Sequence, residues 1–98
     1  IDNLPFDACV EVSCMVNEGH PLPLPHGGPL PNQLAALNRR QIEVHQLTVD
    51  AALTRKKEYI YQAAMLDPHA GSELTIDEIR SLVDDLIQAH GDWLPEYH

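Results

Sequence analysis

The sequence predicts an α+β fold in which one strand near the N-terminus is followed by a Pro/Gly-rich loop and about three helices. Three observations carry that reading. Residues 8–16 are rich in β-branched side chains, residues 19–31 hold five prolines and three glycines, and from Asn32 onward the apolar residues recur at helical spacing.

In the first of these stretches Val10, Val12, Cys14 and Val16 alternate with Cys9, Glu11, Ser13 and Met15, which is the two-residue period of a strand. The prolines between Gly19 and Pro31 remove backbone donors and fix φ, so an extended, non-helical loop is expected there. Leu34, Leu37, Ile42, Val49 and Leu53 then share a broad face, with Ala35, Ala36, Ala51 and Ala52 as strong helix formers, and a long helix is predicted with a break near Thr54. A second helix is expected over about 56–66, with Ile60, Ala63 and Ala64 as its apolar stripe; Pro68 stops it at Asp67, and residues 67–71 form a turn. Thr75 and Glu78 have the spacing of a capping box, in which each side chain takes a free N–H at a helix start. Ile76, Ile79, Val83, Leu86 and Ile87 continue that helix over about 76–90, and Gly91 stands where a left-handed cap belongs. Trp93 and Leu94 are expected to fold back onto it.

The strand raises a difficulty. No second stretch of the chain reads as its partner, so its main-chain groups would be unpaired in an isolated fold. Both of its faces lean apolar, as in the interior of a mixed sheet, which places its neighbours in preceding sequence or in another copy of the chain. The first residues, Ile1, Asp2 and Pro5, show neither an initiator Met nor a basic-then-apolar leader, and the start reads as an interior cut.

Composition excludes several function classes. Ninety-eight residues allow one small domain, which buries only roughly 60–65% of the surface its unfolded chain exposes. Mean hydropathy is -0.24, and no apolar run approaches the ~20 residues of a membrane span. Fifteen acidic residues against six basic ones give a net charge of -9, which repels phosphate backbones and anionic lipid. Neither nucleic acid nor membrane is expected as a partner. Arg55-Lys56-Lys57 reads as a solvated patch near a helix junction.

The residues by themselves reveal no activity. Cys9 and Cys14, five apart on a strand, point to opposite faces and read as free, buried small residues, which fits a reducing cytoplasm. His20, His26, His45, His69, His90 and His98 lack the i, i+4 spacing of helical metal ligands; His20 and His26 lie on the loop, where ligand pockets often form. His90 suits a helix C-terminus, and Asp77, Glu78, Asp84 and Asp85 read as a solvated helix face with favourable charge at its start. Gly27-Gly28 is uninformative, and no phosphate-binding glycine motif is present.

Longer runs of the sequence carry a resemblance. Asn3-Leu4-Pro5 with Cys9-Val10-Glu11-Val12 and Cys14, Leu34-Ala35-Ala36-Leu37-Asn38-Arg39, Leu47-Thr48-Val49 with Ala51-Ala52-Leu53, Ala63-Ala64-Met65-Leu66-Asp67-Pro68-His69, and Ile76 through Pro95 resemble the C-terminal end of family 4 glycoside hydrolases of the α-galactosidase (melibiase) or α-glucosidase branch. Ser13 departs from the family's usual Pro, and residues 20–29 are unlike its usual short loop. The resemblance implies that residues 1–98 are a segment of the C-terminal α+β domain of a two-domain enzyme built like lactate and malate dehydrogenases, without its N-terminal NAD-binding domain. It further implies hydrolysis of an α-glycoside through oxidation, elimination, addition and reduction with NAD and Mn2+, an exception to two-carboxylate hydrolysis. The family's nucleotide-binding glycines, metal-binding Cys-His segment and base lie upstream of what resembles Ile1, so no catalytic, cofactor or metal residue is assigned here. No histidine follows Cys9 or Cys14, and neither is a metal ligand by this likeness. The segment would supply a strand, a loop near the substrate end (Gly19, His20, Pro21, His26) and helices that pack and serve a homo-oligomer interface. By itself it is expected to be inactive and to bind neither cofactor. Two rival readings are a small helical interaction module and a small metal-binding protein that uses its histidines.

Overall fold

The protein, a computed structural model, is described over residues 1–24 and 28–98. Its organisation starts at Asn3, whose side-chain amide donates to the Leu30 carbonyl and accepts from the Leu30 N–H, both at 2.9 Å. One side chain thus mimics a strand neighbour and holds the start of the chain to the end of the proline-rich segment. Arg39 then donates to the Asn3 carbonyl at 2.5 Å, fixing both to the first helix. Leu4 and Ala35 are the buried residues of this end.

The strand expected over residues 8–16 is much shorter: β1 is Cys14–Val16, and its antiparallel partner β2 is Pro21–Pro23. The partner expected from outside the chain is therefore supplied, in part, by the stretch read as a loop. Pairing is possible because of register. Leu24 donates to the Ser13 carbonyl at 2.9 Å, and hydrogen-bonded pairs in an antiparallel ladder recur every second residue. Met15 opposite Leu22 is the next such pair, while Pro21 and Pro23, opposite Val16 and Cys14, fall where the missing N–H would point away from β1. All six strand residues are exposed, so the interior-sheet environment expected of this strand is corrected. For the same reason Cys9 and Cys14, read as buried, are free and exposed.

The helical half follows the sequence closely. Helix α1 (Asn32–Thr54) ends where Arg55 adopts the left-handed conformation, φ 62°, with its N–H on the Ala51 carbonyl. Helix α2 (Lys57–Leu66) returns antiparallel to α1, since Arg40 on α1 donates to the Leu66 carbonyl at 2.9 Å. A side chain from one helix thereby satisfies a carbonyl at the C-terminal end of the other, which has no partner within its own helix. Asp67 stops α2, and its carboxylate accepts the N–H groups of His69 and Ala70. That turn leads into a helical turn the sequence did not announce, α3 (Ala70–Glu73). Helix α4 (Ile76–His90) begins with the expected capping box: Glu78 donates its N–H to the Thr75 hydroxyl, and its carboxylate accepts the Thr75 N–H at 2.8 Å. Hydrogen bonding to Thr75 holds the Glu78 carboxyl below the usual carboxylate range.

Helix α2 packs against both α1 and α4. The buried apolar residues of this centre are Ala51, Ala63, Ile79 and Val83, with Ile79 1% exposed. A short 3-10 turn, Gly91–Trp93, follows α4. Leu94 folds back beside α1 and α4 as expected, but Trp93 stays 92% exposed. Gly91, φ 47°, departs from the left-handed cap geometry and turns the chain so that only Leu94 faces inward. The end of the chain is tied down: His98 accepts from the Lys57 N–H and donates to the Arg55 carbonyl, at 2.8 and 2.9 Å. No described helix is long and apolar enough to cross a membrane.

The whole exposes 7665 Å², against about 5,600 Å² for a compact monomer of 10.9 kDa. Its radius of gyration is 17.2 Å, where about 13 Å is usual for ~100 residues. The chain folds locally but leaves open faces.

Two substitutions test the local contacts by thermal unfolding. Thr75→Ala should cost about 1 kcal/mol, a fall in Tm of about 4–8 °C for a domain of this size, whereas Thr75→Ser should keep most of the stability. Gly71→Ala should also destabilise, by about 1 kcal/mol or more. Its new Cβ would lie 3.1 Å from both the Met65 carbonyl and the Arg40 guanidinium, tighter than an ordinary van der Waals contact, and the carbonyl, unlike the end of a flexible side chain, moves only with its backbone. An unchanged or raised Tm for Gly71→Ala would show that this contact is not limiting.

Candidate functional site

The loop residues singled out from the sequence do not form a walled site in this chain. Gly19 and His20 occupy the turn between β1 and β2, and Pro21 opens β2; all three are exposed. A side chain at Gly19 would meet open space. They are together because they are adjacent in sequence, on a hairpin that projects its tip outward. His26 lies outside the described residues.

The best-organised polar cluster lies elsewhere, between α2 and α4. Lys57 and Tyr61 stand one turn apart on α2, at the i, i+4 spacing that puts two side chains on one face. Asp84 on α4 meets both: its carboxylate accepts from Lys57 Nζ at 2.6 Å and from the Tyr61 hydroxyl at 2.5 Å. The Tyr61 ring is flanked by two cations, Lys57 Nζ at 5.2 Å and the Arg80 guanidinium at 5.6 Å from its centre. The hydrogen bond to Lys57, followed by that to Tyr61, holds the Asp84 carboxyl below the usual aspartate range. In turn the bond to Asp84 raises Lys57 above the ordinary lysine range. A carboxylate stabilised in its charged form by two donors is a poor proton acceptor. Its chemistry is that of a latch joining two helices, not of a base. From the sequence Asp84 and Lys57 read only as solvated charges; the i, i+4 pair of Lys57 and Tyr61 is the available signal, but the partner across the helix interface is not readable without the fold.

Beside this latch, α1, α2, α4 and the returning C-terminal segment enclose a cleft of about 320 Å³. Ala51, Ile60, Val83, Ile87 and Leu94 make its walls, with His90 among the few polar groups. Sugar hydroxyls need several convergent polar partners, and an apolar cleft of this kind supplies too few.

The remaining histidines are dispersed. His45 on α1 lines a shallow cleft of about 100 Å³ with Asp7 and Cys9, and His69 sits in the turn capped by Asp67. Among the described residues no three His, Cys, Asp or Glu side chains converge as metal ligands. The Cys14 thiol is directed to the nearby Val12 carbonyl at 3.4 Å. These donors do not fit a manganese site, and with no glycine-rich phosphate loop in the sequence the residues do not fit a dinucleotide either.

Comparison with known proteins supplies what the geometry lacks. The family model described as "Family 4 glycosyl hydrolase C-terminal domain" matches residues 1–70. The chain is 56% identical over 97 residues to the alpha-galactosidase of Bacillus subtilis (strain 168), covering 99% of this chain and 22% of that protein. It is 32% identical over 97 residues to the alpha-galactosidase of Rhizobium meliloti (strain 1021), covering 99% of this chain and 20% of the relative. With the alpha-galacturonidase of Lachnoclostridium phytofermentans it shares 30% identity over 96 residues, 98% of this chain and 20% of that protein. The chain thus spans about a fifth of the length of the curated relatives it matches. No solved structure matches it.

The latch has a pH signature. Because Asp84 is depressed in the folded state, its contribution is full above the ordinary aspartate range and is lost as pH falls through the folded value. Lys57, raised, contributes below the ordinary lysine range and is lost at higher pH. Asp84→Asn should therefore lower Tm at neutral pH and flatten the acid limb of the stability curve, with the difference from wild type shrinking in high salt. Coincident acid limbs for the two proteins would remove the latch from the account.

Proposed function

The chain belongs to the family 4 glycosyl hydrolases, as part of their C-terminal domain, and from that membership we propose that it is part of an enzyme that hydrolyses α-glycosidic bonds, with α-galactosides as its substrate class. The observation that carries the substrate class is the 56% identity, spread over 99% of the chain, to an alpha-galactosidase. Weaker likenesses to an alpha-galacturonidase and to a maltose-6'-phosphate glucosidase, each at 30% identity, support the α-glycoside class more broadly.

In this reading residues 1–98 are a scaffold of the parent enzyme. A two-domain arrangement like that of lactate and malate dehydrogenases, a cytoplasmic location and a homo-oligomeric state belong to the same proposal. NAD and Mn2+ serve the parent's reaction and are held, in this proposal, by sequence outside this chain. What this chain contributes is positional. The Asn3–Leu30 bonds and Arg39 set the base of the proline-rich segment on α1, which supports a positional role for the hairpin carrying Gly19, His20 and Pro21, the loop this reading assigns to the substrate end of the parent. The open surface of this chain, larger than that of a compact monomer of its mass, supports its being one piece of a larger body.

The test is an assay with p-nitrophenyl α-galactoside. The parent polypeptide, expressed with the coding sequence that precedes Ile1, should release p-nitrophenol in the presence of NAD, Mn2+ and a thiol, and should fall to background when either cofactor is withdrawn. Residues 1–98 alone should give none. Turnover that persists without NAD would overturn the cofactor assignment, and turnover by residues 1–98 alone would overturn the scaffold role.

A further inference from the structure

Residues 8–16 alternate as a strand over nine positions, yet only Cys14–Val16 are paired, and only with the three residues of β2. The register divides the main-chain groups of this stretch in two. Ser13, whose carbonyl accepts from Leu24, and Met15, opposite Leu22, turn theirs toward β2. Those of Cys14 and Val16 therefore turn the other way, and the two-residue period carries the same orientation back to Val12 and Val10. Among the described residues no bond between main-chain groups involves residues 9–12, and the Val12 carbonyl meets only the Cys14 thiol, at 3.4 Å. Val10 and Val16 are 37% and 77% exposed, so unused main-chain groups and open valines lie together along one edge.

We infer that this edge, from Val10 to Val16, is paired in the parent by a strand of the same polypeptide, from the sequence that precedes Ile1. Three observations select that occupant. A hairpin of two strands is marginal in water and a third strand is what such a ribbon needs; β2 cannot seat it, because Pro21 and Pro23 bring no donor to their free side. The matching family model is that of a C-terminal domain, and the chain spans about a fifth of its relatives, so the preceding polypeptide leads into Ile1, seven residues before the alternation begins. Charge disfavours a second copy: residues 1–31 hold Asp2, Asp7, Glu11 and Glu18 and no Lys or Arg, and two such edges side by side would bring like charges together on chains of net charge -9. The inference rests on the reading of residues 1–98 as one piece of a larger polypeptide, and adds to it a place where the rest attaches by main-chain bonds.

Amide hydrogen exchange on the folded parent polypeptide tests it. The N–H groups of Val10, Val12, Cys14 and Val16 should exchange at least about a hundredfold more slowly than unprotected amides, while that of His20, at the exposed turn of the hairpin, should exchange fast. Val12→Pro removes one outward donor and no bond of the β1–β2 ladder; it should release the neighbouring outward amides to fast exchange and lower Tm by several degrees. Val12→Thr, which keeps the N–H and the β-branch, should retain the protection. Fast exchange at Val12 and Cys14 in the wild-type parent would overturn the inference, and that measurement decides even where Val12→Pro does not fold. Unchanged protection of Cys14 in a folded Val12→Pro would overturn it too. A crystal structure of the parent identifies the neighbour: a strand from before Ile1 is expected, and a strand of a second copy, a strand from beyond His98 or a helix laid over the edge would each refute the assignment. These readouts involve no turnover, so a folded parent that is inactive on p-nitrophenyl α-galactoside fails the functional reading alone.

Discussion

Close approach of three helices over small side chains is the constraint on which the rest of this structure depends. Helix α2 lies between α1 and α4, and in the buried centre its Ala63 is joined by Ala51 of α1 and by Ile79 and Val83 of α4. Alanines let helix axes come near one another, but each removes little apolar surface from water, on the order of one methyl group's worth. A core of this kind cannot hold three helices by burial alone. Polar ties at the ends therefore matter: Arg40 on the last carbonyls of α2, the Lys57–Tyr61–Asp84 latch, and His98 bonded across the Arg55 corner. Each of these joins residues more than twenty positions apart, so each fixes how one helix lies on another and not merely that a helix forms.

What the sequence made legible follows from that division. Helices α1, α2 and α4 were readable because their signals are local: alanine-rich apolar spacing, the arrest at Asp67-Pro68, and the Thr75–Glu78 box, which set the start of α4 at Ile76. Strand pairing was not readable, because it depends on register. Prolines at 21 and 23 argue against a strand unless their missing donors point outward, and only the alignment with Ser13 and Cys14 reveals that they do. β1 covers three of the nine residues expected, since alternation becomes a strand only where a neighbour pairs with it. Trp93 was misjudged because Gly91 turns the chain between it and α4. On the candidate site, Gly19 and His20 lie in a non-helical connection as expected, whereas Pro21 opens β2, and nothing in the sequence indicated that these residues would form an exposed hairpin.

The family assignment and the open form of the chain fit together. The segment spans about a fifth of its relatives, and among the described residues no three His, Cys, Asp or Glu side chains converge as metal ligands. The Asp84 carboxylate, like those of Asp67 and Glu78, accepts from two donors, and it serves geometry by joining α2 to α4.

The placement of Pro21 and Pro23 also determines how the small sheet can grow. Along the outer margin of β2 those two residues offer carbonyls but no donors, so an incoming strand would find half of its ladder missing. The margin of β1 at Cys14 and Val16 keeps both kinds of group. Extension of this sheet is therefore one-sided: any further strand, from whatever polypeptide, joins beside β1, and the proline margin acts as a permanent selvedge that stops end-to-end accretion of one hairpin onto the next.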